Sequence, residues 1–162
     1  MRVLDLIRSL HRDKDGAALI EFTLVAPLLI LLMCGLGEFG QALRQYHVMQ
    51  KGVTQAARFL ARTPSAPCPA PDAAWSTYVA QAKNVAIYGG ATSGTPLYKG
   101  WTNPSTVSIG APACLANPRL NGQDLPKITV TATAPYQDLG MLSAIGLSSF
   151  NITVAHQELK VF

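Results

Sequence analysis

Asp15-Gly16-Ala17-Ala18-Leu19-Ile20-Glu21-Phe22, continued by an apolar run to Gly37, is the stretch that decides how this chain is built. From Ala17 to Gly37 there are 21 residues, and Glu21 is their only charge. A helix of that length measures roughly 30 Å, the hydrocarbon thickness of a bilayer. Glu21 is the anomaly, because a carboxylate at depth costs on the order of 3 kcal/mol. Two readings are open: Glu21 lies near enough to the interface to reach water, or it awaits a partner charge. A cut after Gly16 would supply one, since the new α-amino group on Ala17 is cationic near neutral pH. It would lie about one helical turn from Glu21, or within reach of the Glu21 of a neighbouring subunit. Desolvation offsets much of the Coulomb gain of such a pair. It therefore sets register between helices more than it adds stability.

Around that stretch, charge is distributed unevenly. The net charge is +4, from 13 Lys/Arg and 9 Asp/Glu. Residues 1–16 form a charged leader with Arg2, Arg8, Arg12 and Lys14 against Asp5, Asp13 and Asp15. Residues 41–62 carry Arg44, Lys51, Arg58 and Arg62 and no acid, whereas the chain from 63 onward is nearly neutral. A nucleic-acid face would need a basic stripe on the folded domain, so the charge points to membrane-surface or subunit contacts instead. The basic leader places the N-terminus in the cytoplasm.

Pro27 falls mid-span and removes a backbone donor, which predicts a kink near Thr23–Pro27. Gly35, Gly37 and Gly40 spell a dinucleotide fingerprint, but that motif requires a βαβ unit. Here they read as a joint or a surface for close helix approach. Phe39, Ala42/Leu43, Tyr46, Met49, Val53, Ala56/Ala57 and Leu60 then recur at three- and four-residue steps. This stripe predicts that the helix runs on as an amphipathic stalk to about Arg62, close to 46 residues and roughly 70 Å in all. Pro64, Pro67, Pro69 and Pro71 end it, and 63–71 reads as a linker.

Asp72 reads as the N-cap of a second helix over about 73–88, with Trp75, Tyr78, Val79, Ala82, Val85 and Ala86 on its buried face and Gly89-Gly90 as its stop. Three β-like runs follow, at about 106–109, 128–134 and 151–155, the last reaching towards Phe162. Ile128-Thr-Val-Thr-Ala-Thr alternates, as in a sheet with one face on helices and the other in water. The expected fold class is α+β: a long N-terminal helix, transmembrane and then amphipathic, and a small head of one helix on a roughly three-stranded antiparallel sheet. The division is leader 1–16, transmembrane helix 17–40, stalk 41–62 and head 63–162.

Cys68 and Cys114 lie in Pro-rich segments beyond the span. In an oxidising compartment a bond between them would close a loop of about 45 residues, worth roughly 3–4 kcal/mol. Two free thiols are the alternative. Zinc would need spaced ligand pairs that are not there, and no metal or cofactor is expected. His11, His47 and His156 fall in leader, stalk and last strand, and Asp72, Asp124, Asp138 and Glu158 show no paired spacing. No catalytic set emerges, so the expectation is a protein that is not an enzyme.

Gly16-Ala17-Ala18-Leu19-Ile20-Glu21-Phe22 resembles the processing site of type IV pilin-like proteins, with glycine before the cut and glutamate at the fifth mature position. Glu21-Phe22-Thr23-Leu24-Val25-Ala26-Pro27-Leu28-Leu29, Gly37-Glu38-Phe39-Gly40 and Ala56-Ala57-Arg58 resemble the TadE-like pseudopilins of the tight-adherence (Tad, Flp-type) pilus. The likeness covers about residues 15–62; in outline, Ala134-Pro135-Tyr136 closing a strand also resembles TadE-like heads. It implies cleavage by a prepilin peptidase between Gly16 and Ala17, with Glu21 as the assembly carboxylate. The implied partners are the peptidase, other pilins or pseudopilins, the pilus machinery and inner-membrane lipid, with no nucleic acid and no small-molecule substrate. It implies a single pass through a bacterial inner membrane with a periplasmic head. A second class stays open: a membrane-anchored periplasmic binding module or enzyme that uses 17–40 only as an anchor.

Overall fold

The computed structural model describes residues 14–65, 67–68, 70–116, 124–144, 146 and 148–160. The leader before Lys14 and the continuation of the last strand to Phe162 lie outside them. Helix α1 runs from Lys14 to Ala61 and contains Pro27. Its residues divide between two units, Met1–Gly40 and Gln41–Phe162.

In the first unit the helix is apolar from Ala17 to Gly37 but for Glu21 and Thr23. It is the one described helix long and apolar enough to cross a membrane, with a mean hydropathy of 2.4 and none of that window buried. Leu24 and Met33 expose 78% and 72% of their surface to whatever surrounds them. Such a helix is stable only in a bilayer or against other helices.

The second unit is α+β. The rest of α1 packs with helix α2 (Trp75–Tyr88) and a sheet made from β1 (Val107–Ile109), β2 (Ala113–Leu115), β3 (Leu125–Pro135) and β4 (Asn151–Leu159). All pairings are antiparallel. β4 lies along one side of β3, with Lys127 opposite Leu159 and Pro135 opposite Asn151. β1 and β2 follow one another along the other side. Ile109 faces Val130 and Ala113 faces Lys127, so three residues stand opposite two. β1 and β2 are thus one edge strand broken by a bulge at 110–112, where Gly110 N–H donates to Thr129 O at 3.1 Å.

The alternation in β3 sends Ile128, Val130, Ala132 and Ala134 into the core. Thr129, Thr131 and Thr133 take the opposite, half-buried face, and Thr133 Oγ1 meets Thr153 Oγ1 across the strands at 3.0 Å. Met49, Val53, Ala56, Ala57 and Leu60 of α1 meet this sheet's core together with Trp101 and Ala86.

Along α1 the apolar stripe is buried at Met49, Val53, Ala56/Ala57 and Leu60 and exposed at Phe39, Leu43 and Tyr46, while Gln45 and Gly52 join its inward face. Gln45 is buried because its amide is fully used: Nε2 donates to Pro135 O at 2.9 Å and Oε1 accepts from Gln137 N at 3.0 Å. Helix α2 starts at Trp75 rather than 73. Asp72 still does capping work one turn earlier, its Oδ1 accepting from Trp75 N at 2.9 Å and from the Ser65 hydroxyl at 2.5 Å. Finally, the Pro-rich segment is no loose linker, since Thr63, Ser65 and Pro67 are buried. At the far end of α2, Gly89 adopts φ +75° and returns its N–H to Val85 O, the left-handed stop that glycine accommodates without strain.

Candidate assembly helix and head surfaces

Gly16, Ala17 and Glu21 are exposed residues on the first turns of α1. Among the described residues, a Cβ added at Gly16 would meet nothing within 4 Å, and the same holds at Gly35 and Gly40. Packing among the described residues does not demand glycine at these places. Thr23 Oγ1 donates to Leu19 O at 2.7 Å, so the hydroxyl is satisfied inside the apolar segment, as an intramembrane polar group must be. Pro27 leaves the carbonyl of Thr23 without its usual N–H partner, and the helix continues past it. Cys34 is a free, half-buried thiol on the same helix.

Gly52 is different. A Cβ there would lie 2.2 Å from Ala86 O and 3.4 Å from the Trp101 ring. The missing side chain is what lets α1 and α2 touch backbone to backbone, and the sequence offered no sign of it beyond a lone glycine in a helical stripe.

The head has two ends, defined by where α1 is tied to the sheet. At one end Lys160, after β4, donates its backbone N–H to Pro126 O at 2.9 Å. Its ammonium donates to Thr63 O and, at 3.4 Å, to Ala61 O. Lys160 thus caps the last carbonyls of α1 with a cation, the favourable sign at a helix C-terminus. Burial lowers its pKa below 10.5, and the charge of Asp72 opposes that shift. Near this end Cys68 and Cys114 are joined, S–S 2.02 Å, closing a sequence separation of 46.

The other end is built around Gln41 and Gln45. Gln41 Nε2 donates to Tyr98 Oη at 2.8 Å, and Gln45 holds Pro135 and Gln137 at the exit of β3. β3 therefore runs antiparallel to the head portion of α1. Tyr98 is buried; desolvation raises its phenol above 10.0, against the opposing pull of Arg44 and of the Gln41 hydrogen bond. Tyr136 stacks on Phe150 with ring centroids 4.9 Å apart, and Tyr136 N donates to Phe150 O at 2.7 Å.

Between α1 and α2 an open cleft of about 600 Å³ is lined by Arg58, Phe59, Arg62, Thr63, Tyr78 and Gln81 among others. The Phe59 and Tyr78 rings form its aromatic floor, centroids 6.5 Å apart. The cleft offers two guanidiniums and amide groups but neither carboxylate nor histidine. Its two guanidiniums are of the charge that suits an anion. His156 and Glu158 meet at 3.0 Å on β4, away from that cleft in sequence and in element. Among the described residues there is no group of three or more His, Cys, Asp or Glu that could hold a metal.

Neither a curated protein nor a solved structure matches the chain. A family model described as TadE-like protein matches residues 16–58, which begin at Gly16 and take in Glu21, Pro27 and the stalk as far as Arg58. Over that helix the chain is similar to the TadE-like family.

Proposed function

We propose that the protein is a pseudopilin or minor pilin that takes part in assembling a Tad (Flp-type) adherence pilus, matured by a prepilin peptidase cutting between Gly16 and Ala17. The observation that carries this reading is Gly16 itself. It stands five residues before Glu21, the only carboxylate between Ala17 and Gly37. Proteolysis needs the chain extended at the scissile bond, and glycine within a helix costs about 1 kcal/mol relative to alanine. The helix at Gly16 is therefore the cheaper place to open.

Once cut, the chain begins with an ammonium at Ala17. Glu21 on the same chain is a turn away, and Glu21 of a neighbour is available to the ammonium as helices pack. A carboxylate in an apolar stretch gains most from a partner that arrives only on assembly. The span first holds the subunit in the membrane and then packs against other helices. The head, on the periplasmic side, faces other minor components of the machinery.

The test is Glu21→Ala in cells that make the pilus. Loss of piliation or of co-purification with other pilins, with the protein still in the membrane, is the expected result. Normal assembly would remove the amine–carboxylate argument. The cleft with Arg58 and Arg62 is the one observation that favours the second reading, a membrane-anchored binding module. In that case Glu21→Ala is neutral, while Arg58→Ala and Arg62→Ala carry the defect.

A further inference from the structure

The cleft between α1 and α2 continues along α1. A second pocket of about 230 Å³, lined by Gln50, Lys51, Thr54, Gln55 and Arg58, shares Gln55 and Arg58 with it. Together they form a groove beside α1 from Gln50 to Arg62, roughly 18 Å of helix. Three cations stand in a row there. Lys51, Arg58 and Arg62 are seven and then four positions apart, which keeps them on one helix face at intervals of about 10 and 6 Å. All three are exposed, and among the described residues none has an ion-pair partner. The helix walls supply no acid to answer them, since neither residues 41–62 nor α2 contains Asp or Glu.

Phe59 and Tyr78 are half-buried in the same cleft, and their ring planes meet at 60°. Rings set at that angle flank a notch for one apolar side chain, whereas a base or a sugar stacks on a flat face. The side-chain amides of Gln55 and Gln81 have no partner among the described residues. Each offers donors and an acceptor, the pair of functions that a peptide backbone needs. Guanidiniums, in turn, take carboxylates in two-point pairs. We propose that this groove docks an acidic segment of a partner protein: carboxylates about 6 Å apart pair with Arg58 and Arg62, and an apolar side chain beside them enters the Phe59–Tyr78 notch. Lys51 lengthens the acidic footprint. Charge complementarity selects this occupant, because a second copy docking by the same face would set cation against cation. The proposal goes beyond cleavage at Gly16; in the anchored-module reading it rests on that reading and names the ligand of the same cleft.

The test uses the full chain in nanodiscs of phosphatidylethanolamine and phosphatidylglycerol. Gly16 and Glu21 are untouched, so failure here leaves the processing account standing. Short random peptides displayed on phage are selected on the chain and depleted on empty discs. The enriched peptides are synthesised, and their binding is measured by fluorescence anisotropy. The proposal predicts enrichment of paired Asp or Glu beside an aromatic or aliphatic residue. Affinity should fall about tenfold or more for Arg58→Gln with Arg62→Gln. Arg58→Lys with Arg62→Lys keeps the charge and loses the fork, so the fall should be smaller. Lys99→Gln, which lines neither pocket, should bind as the parent does. Added salt should weaken the parent and leave the double glutamine variant little changed. Enriched peptides without acidic residues, or acidic peptides that bind the double glutamine variant as tightly as the parent, would overturn the proposal. So would the absence of any enriched peptide, and so would inorganic phosphate or an oligouronate occupying the groove more tightly than the best peptide.

Discussion

The side chain of Gln45 closes a two-point clamp on the backbone at the end of β3, accepting from Gln137 N at 3.0 Å while donating to Pro135 O at 2.9 Å. The residues are ninety-odd positions apart in sequence, with separations of 92 and 90. The same side chain meets both backbone groups, so losing the amide removes a partner from one donor and one acceptor.

Gln45→Leu keeps the volume and removes the clamp. Two partly buried backbone groups without partners cost at most about 1–3 kcal/mol each, the figure for full burial. The expected result is a clear fall in thermal midpoint, together with faster amide exchange confined to the loop after Pro135.

At Gly52 the prediction is steric. Gly52→Ala puts a methyl 2.2 Å from a backbone oxygen that cannot rotate away. Overpacking of this kind costs about 1–3 kcal/mol or more. Gly40→Ala, with open space at the same test, should be neutral or gain up to about 1 kcal/mol from helix propensity. Urea unfolding of the two variants side by side should show opposite signs.

Reduction of Cys68–Cys114 should destabilise the head by roughly 3–4 kcal/mol in the chain-entropy account of a loop of this size. Cys68→Ser with Cys114→Ser should reproduce the loss, and reducing agent should then have no further effect. A double variant as stable as the parent would contradict it.

Alkaline pH separates two buried groups. Desolvation raises the Tyr98 phenol, so its stability contribution is complete below 10.0 and is lost as pH climbs through the raised folded value, the unfolded chain ionising first. Desolvation lowers the Lys160 ammonium, so its cost is full at neutral pH and disappears as pH rises from the lowered value to 10.5. Thermal midpoints measured from pH 8 to 11.5 should therefore fall less steeply for Tyr98→Phe than for the parent, and more steeply for Lys160→Met.

What could be read from residues alone was whatever repeats with a period. The apolar run, the stripe through Met49, Val53, Ala56 and Leu60, and the alternation in Ile128–Ala134 each gave an element that the structure contains. Single contacts were not legible. Tyr46 and Gln45 are neighbours at a helical step, and hydrophobicity favoured the tyrosine; the glutamine is buried instead because two backbone partners, 90 and 92 residues away, satisfy it. β2 was missed because three residues, Ala-Cys-Leu, carry no alternation and follow a proline. The residues on which the proposed processing rests were legible through spacing, Gly16 to Glu21.

The central claim is that the chain is cut after Gly16, and the N-terminus of the protein itself tests it most directly. N-terminal sequence and intact mass should be determined from cells with and without a matching prepilin peptidase. A start at Ala17 only where the peptidase is present is the predicted result. A chain retaining Gly16 and everything before it under both conditions would contradict the account, leaving residues 17–40 as a plain anchor.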